Sequence, residues 1–355
     1  MDADFLLPVL IQAPMAGVST PEMAAAVSNA GGLGSIAVGA LSVEAAHRAI
    51  LRTRALTSAP FNVNVFCHKA PAIDAERERR WLERLAPLFA EQGSAPPPAL
   101  ETPYKSFNDD AWMQSLLIEL RPAVASFHFG LPPASVVRSL KNAGVILAGC
   151  ATTLDEALCC EAAGMDMVIA QGAGAGGHRG VFAPERGDAP METLALVQLL
   201  GAHCRVPVVA AGGIMDGAGM RAALDAGAAA VQLGTAFVLC PESAASSAHR
   251  RLLGARPVPD TRITSAISGR PARALVNRFV AEVAEVEVPA YPRAYAAGKR
   301  LAEAAAARGD EDFAVCWAGQ GAALARAMPA ALLVETLFEE LEAHPSDRQG
   351  STADV

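Results

Sequence analysis

The sequence has no basic excess, no long uncharged run and no paired-cysteine motif. Its 37 acidic and 29 basic side chains leave a net charge of −8. That balance excludes a general nucleic-acid or anionic-membrane surface, though not a local cationic pocket for a small anion. The N-terminal stretch MDADFLLPVLIQAPM carries acids where a secretory leader needs basic residues, and it reads as a first buried strand. Apolar runs are short or broken by Gly and Gln, so no membrane span is expected. Seven cysteines with no C-x-x-C argue against a disulfide framework or a zinc site. The expectation is a protein of the reducing cytoplasm, without a metal. G-x-G-x-x-G is also missing, and GLGSIA at 32–37 does not fill it. A separate dinucleotide-binding unit is therefore not expected.

What is present is a repeating alternation. Short apolar runs occur at 9–15, 32–38, 61–66, 124–130, 145–150, 167–172, 207–213 and 230–237. Between most of them lie Ala/Leu-rich amphipathic stretches, several ending in Gly, a usual helix stop. Eight strands with interleaved helices predict an α/β fold, a (β/α)8 barrel. Two segments break the rhythm: 67–120, with the charged helical pattern AIDAERERRWLERLAPLFAEQG, and 240–340, mostly helical in pattern. The predicted division is a barrel of 1–66 and 121–239, a helical cap of 67–120 and 240–340, and a disordered tail of 341–355.

Barrel active sites sit at the C-terminal ends of the strands, so the residues just past each strand are the informative ones. After the first comes QAPMAGVSTPE; its small residues allow a flat ligand against the backbone, or make a plain tight turn, with Thr20 capping the next helix. FNVNVFCH places Asn62 and Asn64 on one strand face. Asn is rare in strands and needs partners: side chains, water or a ligand. Asn64, nearer the strand end, is the candidate, while His68 reads as a surface residue. His128 in SFHFG is either a satisfied core histidine or a catalytic one at the rim. QGAGAGGHRG, 171–180, holds five glycines and His178. So many glycines point to close backbone approach, with Gln171 and His178 facing a ligand. Gly212–Gly213 and Gly234–Thr235 come after the last two strands, where barrels commonly hold a phosphate. A phosphorylated planar cofactor fits, and FMN is the economical choice.

Four blocks, QAPMAGVSTPEMAAAVSNAGGLGS, FNVNVFCH, SFHFGLP and QGAGAGGHRG, resemble class I nitronate monooxygenases, formerly 2-nitropropane dioxygenases, over roughly residues 8–320. The resemblance implies an FMN-binding barrel with a helical substrate domain. It implies oxidation of alkyl nitronates, notably propionate 3-nitronate, by O2 to the carbonyl compound with nitrite and nitrate. That reaction runs through an anionic flavosemiquinone and serves detoxification. It implies that Pro14, Met15 and Ala16 line the flavin and that Asn64 and Gln171 bond it. Gly177, Gly212, Gly213, Gln232, Gly234 and Thr235 complete the cradle. His128 and His178 are the implied catalytic residues, and Tyr291, Tyr295 and Lys299 the substrate-binding ones. Gly174 stands where many members carry an acid. The expected partners are the nitronate and O2 only, in a monomer or homodimer. The rival readings are an FMN-dependent NAD(P)H oxidoreductase of the same fold and a non-catalytic FMN- or phosphosugar-binding protein.

Overall fold

The structure is a computed structural model that describes residues 6–283 and 285–344. Its frame is eight parallel strands: β1 (Leu10–Gln12), β2 (Gly34–Ala37), β3 (Phe61–Phe66), β4 (Val124–His128), β5 (Ile146–Ala151), β6 (Met167–Gln171), β8 (Val208–Ala211) and β9 (Ala230–Leu233). The intervening β7 (Gly177–His178) lies outside this sheet. Leu33 closes the ring beside β1: its N–H donates to the Leu10 carbonyl at 2.9 Å, and its carbonyl accepts from Gln12 at 3.0 Å. The result is a (β/α)8 barrel. Strands are shorter than the apolar runs; the run at 230–237 ends as a short 3-10 turn, Thr235–Phe237.

The helices among the described residues are α1 (Pro21–Asn29), α2 (Val43–Leu56), α3 (Ala75–Glu91), α4 (Ala111–Leu120), α5 (Ala134–Asn142), α6 (Leu154–Ala162), α7 (Thr193–His203), α8 (Gly217–Asp225), α9 (Ser247–Gly254), α10 (Arg278–Glu282), α11 (Arg293–Ala306) and α12 (Ala330–Ala343). Many begin on a side-chain cap. Thr20 accepts from the Met23 N–H at 3.0 Å, as its sequence context predicts.

Period-two alternation sorts the strand side chains. Ile146, Ala148 and Cys150, then Met167 and Ile169, then Val209 and Ala211 fill the barrel interior. Leu147, Val168, Ala170, Val208 and Ala210 pack outward under the helices. Continued one step further, the inward phase brings Asn64, His128, Gln171 and Gln232 to the barrel mouth.

A second cluster sits apart from the barrel. α3 buries Glu78, Trp81, Leu82, Leu85 and Phe89, a single helical stripe. It packs on α11, and the cluster takes in Ala274 of β11 (Ala272–Leu275), whose antiparallel neighbours are β10 (Thr261–Thr264) and β7. α4 buries Met113, Leu116 and Leu117 into the barrel's own cluster, and α12 packs on α8 and α1. Of the tail expected over 341–355, residues 341–343 continue α12 and those after His344 lie outside the described residues. Among the described residues no helix is long and apolar enough to cross a membrane, and no cluster of metal-ligating side chains occurs.

One buried ion pair ties α3 to α11. The Arg293 guanidinium donates to both Glu78 carboxylate oxygens and also to the Leu100 carbonyl and Thr102 hydroxyl, with each charged side chain about 10% exposed. Removing one partner of such a pair strands the other charge. Glu78→Ala is therefore expected to cost about 3 kcal/mol or more in urea unfolding, whereas removal of the exposed Arg52–Glu22 pair costs under about 1 kcal/mol.

Candidate active site

The glycine-rich loop leaves β6 and returns across the barrel mouth as the edge strand β7. Ala272 pairs with His178 and Arg273 with Gly177. This docks the small sheet onto the mouth and fixes the His178 backbone. Close approach explains the glycines. A Cβ on Gly176 would lie 2.6 Å from the backbone of Ala318 and Gly319, and one on Gly172 would fall 2.2 Å from the Thr193 hydroxyl. A Cβ on Gly180 would meet the Cys150 sulfur at 2.6 Å. Gly174 differs: its Cβ would crowd the flexible end of Gln320, at 3.0 Å, and meet the Gly212 and Gly213 backbone at an ordinary 3.5 Å.

Between loop, barrel mouth and small sheet lies a cavity of about 500 Å³. Every site residue named from the sequence lines it: Pro14, Met15 and Ala16; Asn64, His128, Gln171, Gly177 and His178; Gly212, Gly213, Gln232, Gly234 and Thr235; Tyr291, Tyr295 and Lys299. Gly212 and Gly213 have positive φ, 129° and 74°, a turn that suits glycine. Asn64 donates to the Ser126 carbonyl and hydroxyl at 3.1 and 3.0 Å. The Lys299 ammonium stands 4.7 Å over the Tyr295 ring.

The hydrogen bonds define the tautomer of one rim histidine. The His178 carbonyl accepts from Gln171 at 2.9 Å and from His128 Nε2 at 3.1 Å. A carbonyl cannot donate, so His128 carries its proton on Nε2. The Ser268 hydroxyl lies 2.9 Å from His178 Nε2 and 3.2 Å from the Arg270 carbonyl, so it anchors the His178 ring through Nε2 and leaves Nδ1 outside that contact.

Sequence reasoning missed the cation behind this wall. Arg270 is 3% exposed, and its guanidinium lies 4.2 Å over the Phe129 ring and 5.8 Å from that of Tyr291. It donates to the Val181 and Arg179 carbonyls. Burial pulls its pKa down to about 10. Phe129 holds the left-handed φ of 73°, costly for an aromatic residue, and so sets its ring between Arg270, His128 and His178. Nothing in GRPAR distinguishes this arginine from a surface one; only the tertiary fold buries it.

The imidazoles respond to this setting. What surface they keep opens into the cavity, so burial dominates. It pushes His178 down to about 3, helped by Arg270 and His128. It pushes His128 down to about 4, with the His178 carbonyl opposing and Arg270 and Arg179 adding. His68, read from the sequence as a surface residue, is instead 2% exposed. It packs edge-on against Tyr291 at 5.1 Å and Tyr104 at 6.1 Å, and falls to about 4 through burial and Arg270. An apolar lid of Tyr104, Phe129 and Tyr291 covers it. Tyr104 and Trp317, whose ring lies 5.0 Å from that of His178, also line the cavity and were not singled out by sequence.

Two outcomes are expected. Gly176→Ala collides with backbone and costs about 1–3 kcal/mol with a visible loss of thermal stability, while Gly174→Ala is near neutral. Each rim histidine is neutral when folded but protonates near its ordinary 6.5 when unfolded. Stability of the ligand-free protein is therefore full above that pH and falls as pH drops toward 4, seen as a declining urea midpoint. His128→Asn should shallow that decline.

Comparisons with known proteins agree with this geometry. The sequence model described as nitronate monooxygenase matches residues 2–340. The nitronate monooxygenase of Pseudomonas aeruginosa is 57% identical over 335 residues, 94% of this chain and 95% of that protein. That of Paraburkholderia phytofirmans is 53% identical, covering 95% and 94%. Nitroalkane oxidase from Streptomyces ansochromogenes superimposes with a TM-score of 0.86 at 42% identity, over 96% of each chain. FabK from Thermotoga maritima has a TM-score of 0.69 at 29% identity, over 95% of this chain and 93% of its own. Alike in sequence and in form over nearly its whole length, the chain belongs to the nitronate monooxygenase family of enzymes.

Proposed function

We propose that this enzyme holds FMN in the cavity and oxidises alkyl nitronates, propionate 3-nitronate among them, with O2 to the carbonyl compound, nitrite and nitrate. The observation that carries the reading is the assembly of all the sequence-derived site residues on one cavity. The donor set suits a flavin. Gln232 presents a buried carbonyl oxygen with no protein partner, which an N–H or hydroxyl of the cofactor would satisfy. Pro14–Ala16 offer a backbone shelf for the flat ring, and the turns at Gly212–Gly213 and Gly234–Thr235 would take the phosphate. When bound, the flavin supplies the electron transfer.

The chain's own part is binding and proton placement. Its imidazoles are neutral near pH 7, so neither supplies the positive charge for a nitronate. The ammonium of Lys299 at the cavity wall fits that role, with buried Arg270 adding to the field. His178 acts where a neutral nitroalkane enters, its Nδ1 taking the α-proton when the ring donates its Nε2–H to Ser268. Tyr291, Tyr295 and Trp317 enclose the substrate and exclude water.

The test is spectral and kinetic. Purified protein reconstituted with FMN should show flavin bands that change on anaerobic addition of propionate 3-nitronate. Bands indifferent to the nitronate but bleached by NADH would replace this reading with a reductase. His178→Asn should lower nitroalkane turnover by about 10²–10⁴. Equal activity of variant and parent toward a neutral nitroalkane would remove His178 from the mechanism. Lys299→Met should raise KM for the anionic nitronate more than for a neutral nitroalkane.

A further inference from the structure

The cavity has a third histidine that the reaction does not use. His249 lies in the first turn of α9, is 3% exposed and lines the same wall as Ser246 and Trp317. Its Nε2 is buried with no protein partner. The helix end that carries it is rigidly built. Ser246 accepts from the His249 N–H at 3.2 Å, and Arg250 donates to the carbonyls of Leu239, Cys240, Ser243 and Ala245.

The Trp317 backbone favours the protonated ring, the sign that a carbonyl acceptor gives. With Nε2 unpartnered, a proton shared from Nδ1 toward that carbonyl would leave Nε2 its lone pair. Burial keeps the ring neutral, pulling it down to about 4. A buried acceptor without a donor is uncommon in native proteins. Here the ring borders a cavity, so the missing donor belongs to what fills that cavity.

We propose that His249 Nε2 accepts a hydrogen bond from a hydroxyl or N–H of the bound cofactor, making the α9 end of the cavity a further cofactor subsite. This rests on the reading of the cavity as an FMN site. The residue is a ligand only; it takes no part in moving protons or electrons. A ribityl hydroxyl or a ring N–H supplies the chemistry, and riboflavin carries both without the phosphate.

The test is titration of apoprotein with FMN and with riboflavin, monitored by quenching of flavin fluorescence. His249→Leu should weaken both flavins by the same factor, about tenfold for one hydrogen bond. His249→Gln, which retains a side-chain acceptor, should recover part of that loss. Unchanged affinity in His249→Leu overturns the proposal. A loss for FMN with none for riboflavin also overturns it, since the contact would then be to the phosphate. Ring ¹⁵N NMR of the unsubstituted protein decides the matter if the variants misfold: the His249 Nε2 resonance must move on adding FMN, and a stationary signal refutes the contact. Failure of the parent protein to bind either flavin would strike the cofactor assignment itself, whereas binding untouched by His249 strikes only this inference.

Discussion

The pairing of β7 with β11 is the constraint on which the site depends. It turns a glycine-rich loop, which would otherwise wander, into the edge of a sheet. The His178 carbonyl is then a fixed acceptor for Gln171 and His128, and the His178 ring is fixed in turn by Ser268. Arg179, fully buried, locks the same segment by donating to the Gln171 and Gly172 carbonyls and pairing with Asp188 at 2.8 Å. The backbone of one short strand therefore sets two imidazoles at once.

That arrangement explains why the glycines are not interchangeable. Gly172, Gly176 and Gly180 face backbone or packed side chains, where a methyl group has no room. A Cβ on Gly174 would crowd only the flexible end of Gln320 and meet the Gly212 and Gly213 backbone at ordinary contact distance. Glycine content alone would treat the four alike.

The electrostatics derive from where the cation is placed. Arg270 has an aromatic face, backbone carbonyls and three imidazoles as its near neighbours. Burial holds the histidines neutral and the buried charge adds to it. Neutral imidazoles and a positive field thus occur side by side, two features that a single protonated histidine could not offer together.

The sequence by itself determined the barrel, because eight apolar runs separated by amphipathic helices have few other ways to bury their surfaces. It also determined the barrel-mouth residues: period-two alternation carries Asn64, His128, Gln171 and Gln232 to the strand ends whatever surrounds them. The tertiary structure alone decided the rest. His68 reads as a loop residue and is buried because Tyr104 and Tyr291, distant in sequence, close over it. α4 buries side chains in the barrel's cluster and α12 packs on α8 and α1, contacts that the sequence rhythm does not display. Arg270 and His249 carry no local signature, since burial and the absence of a partner are properties of contacts between segments far apart along the chain.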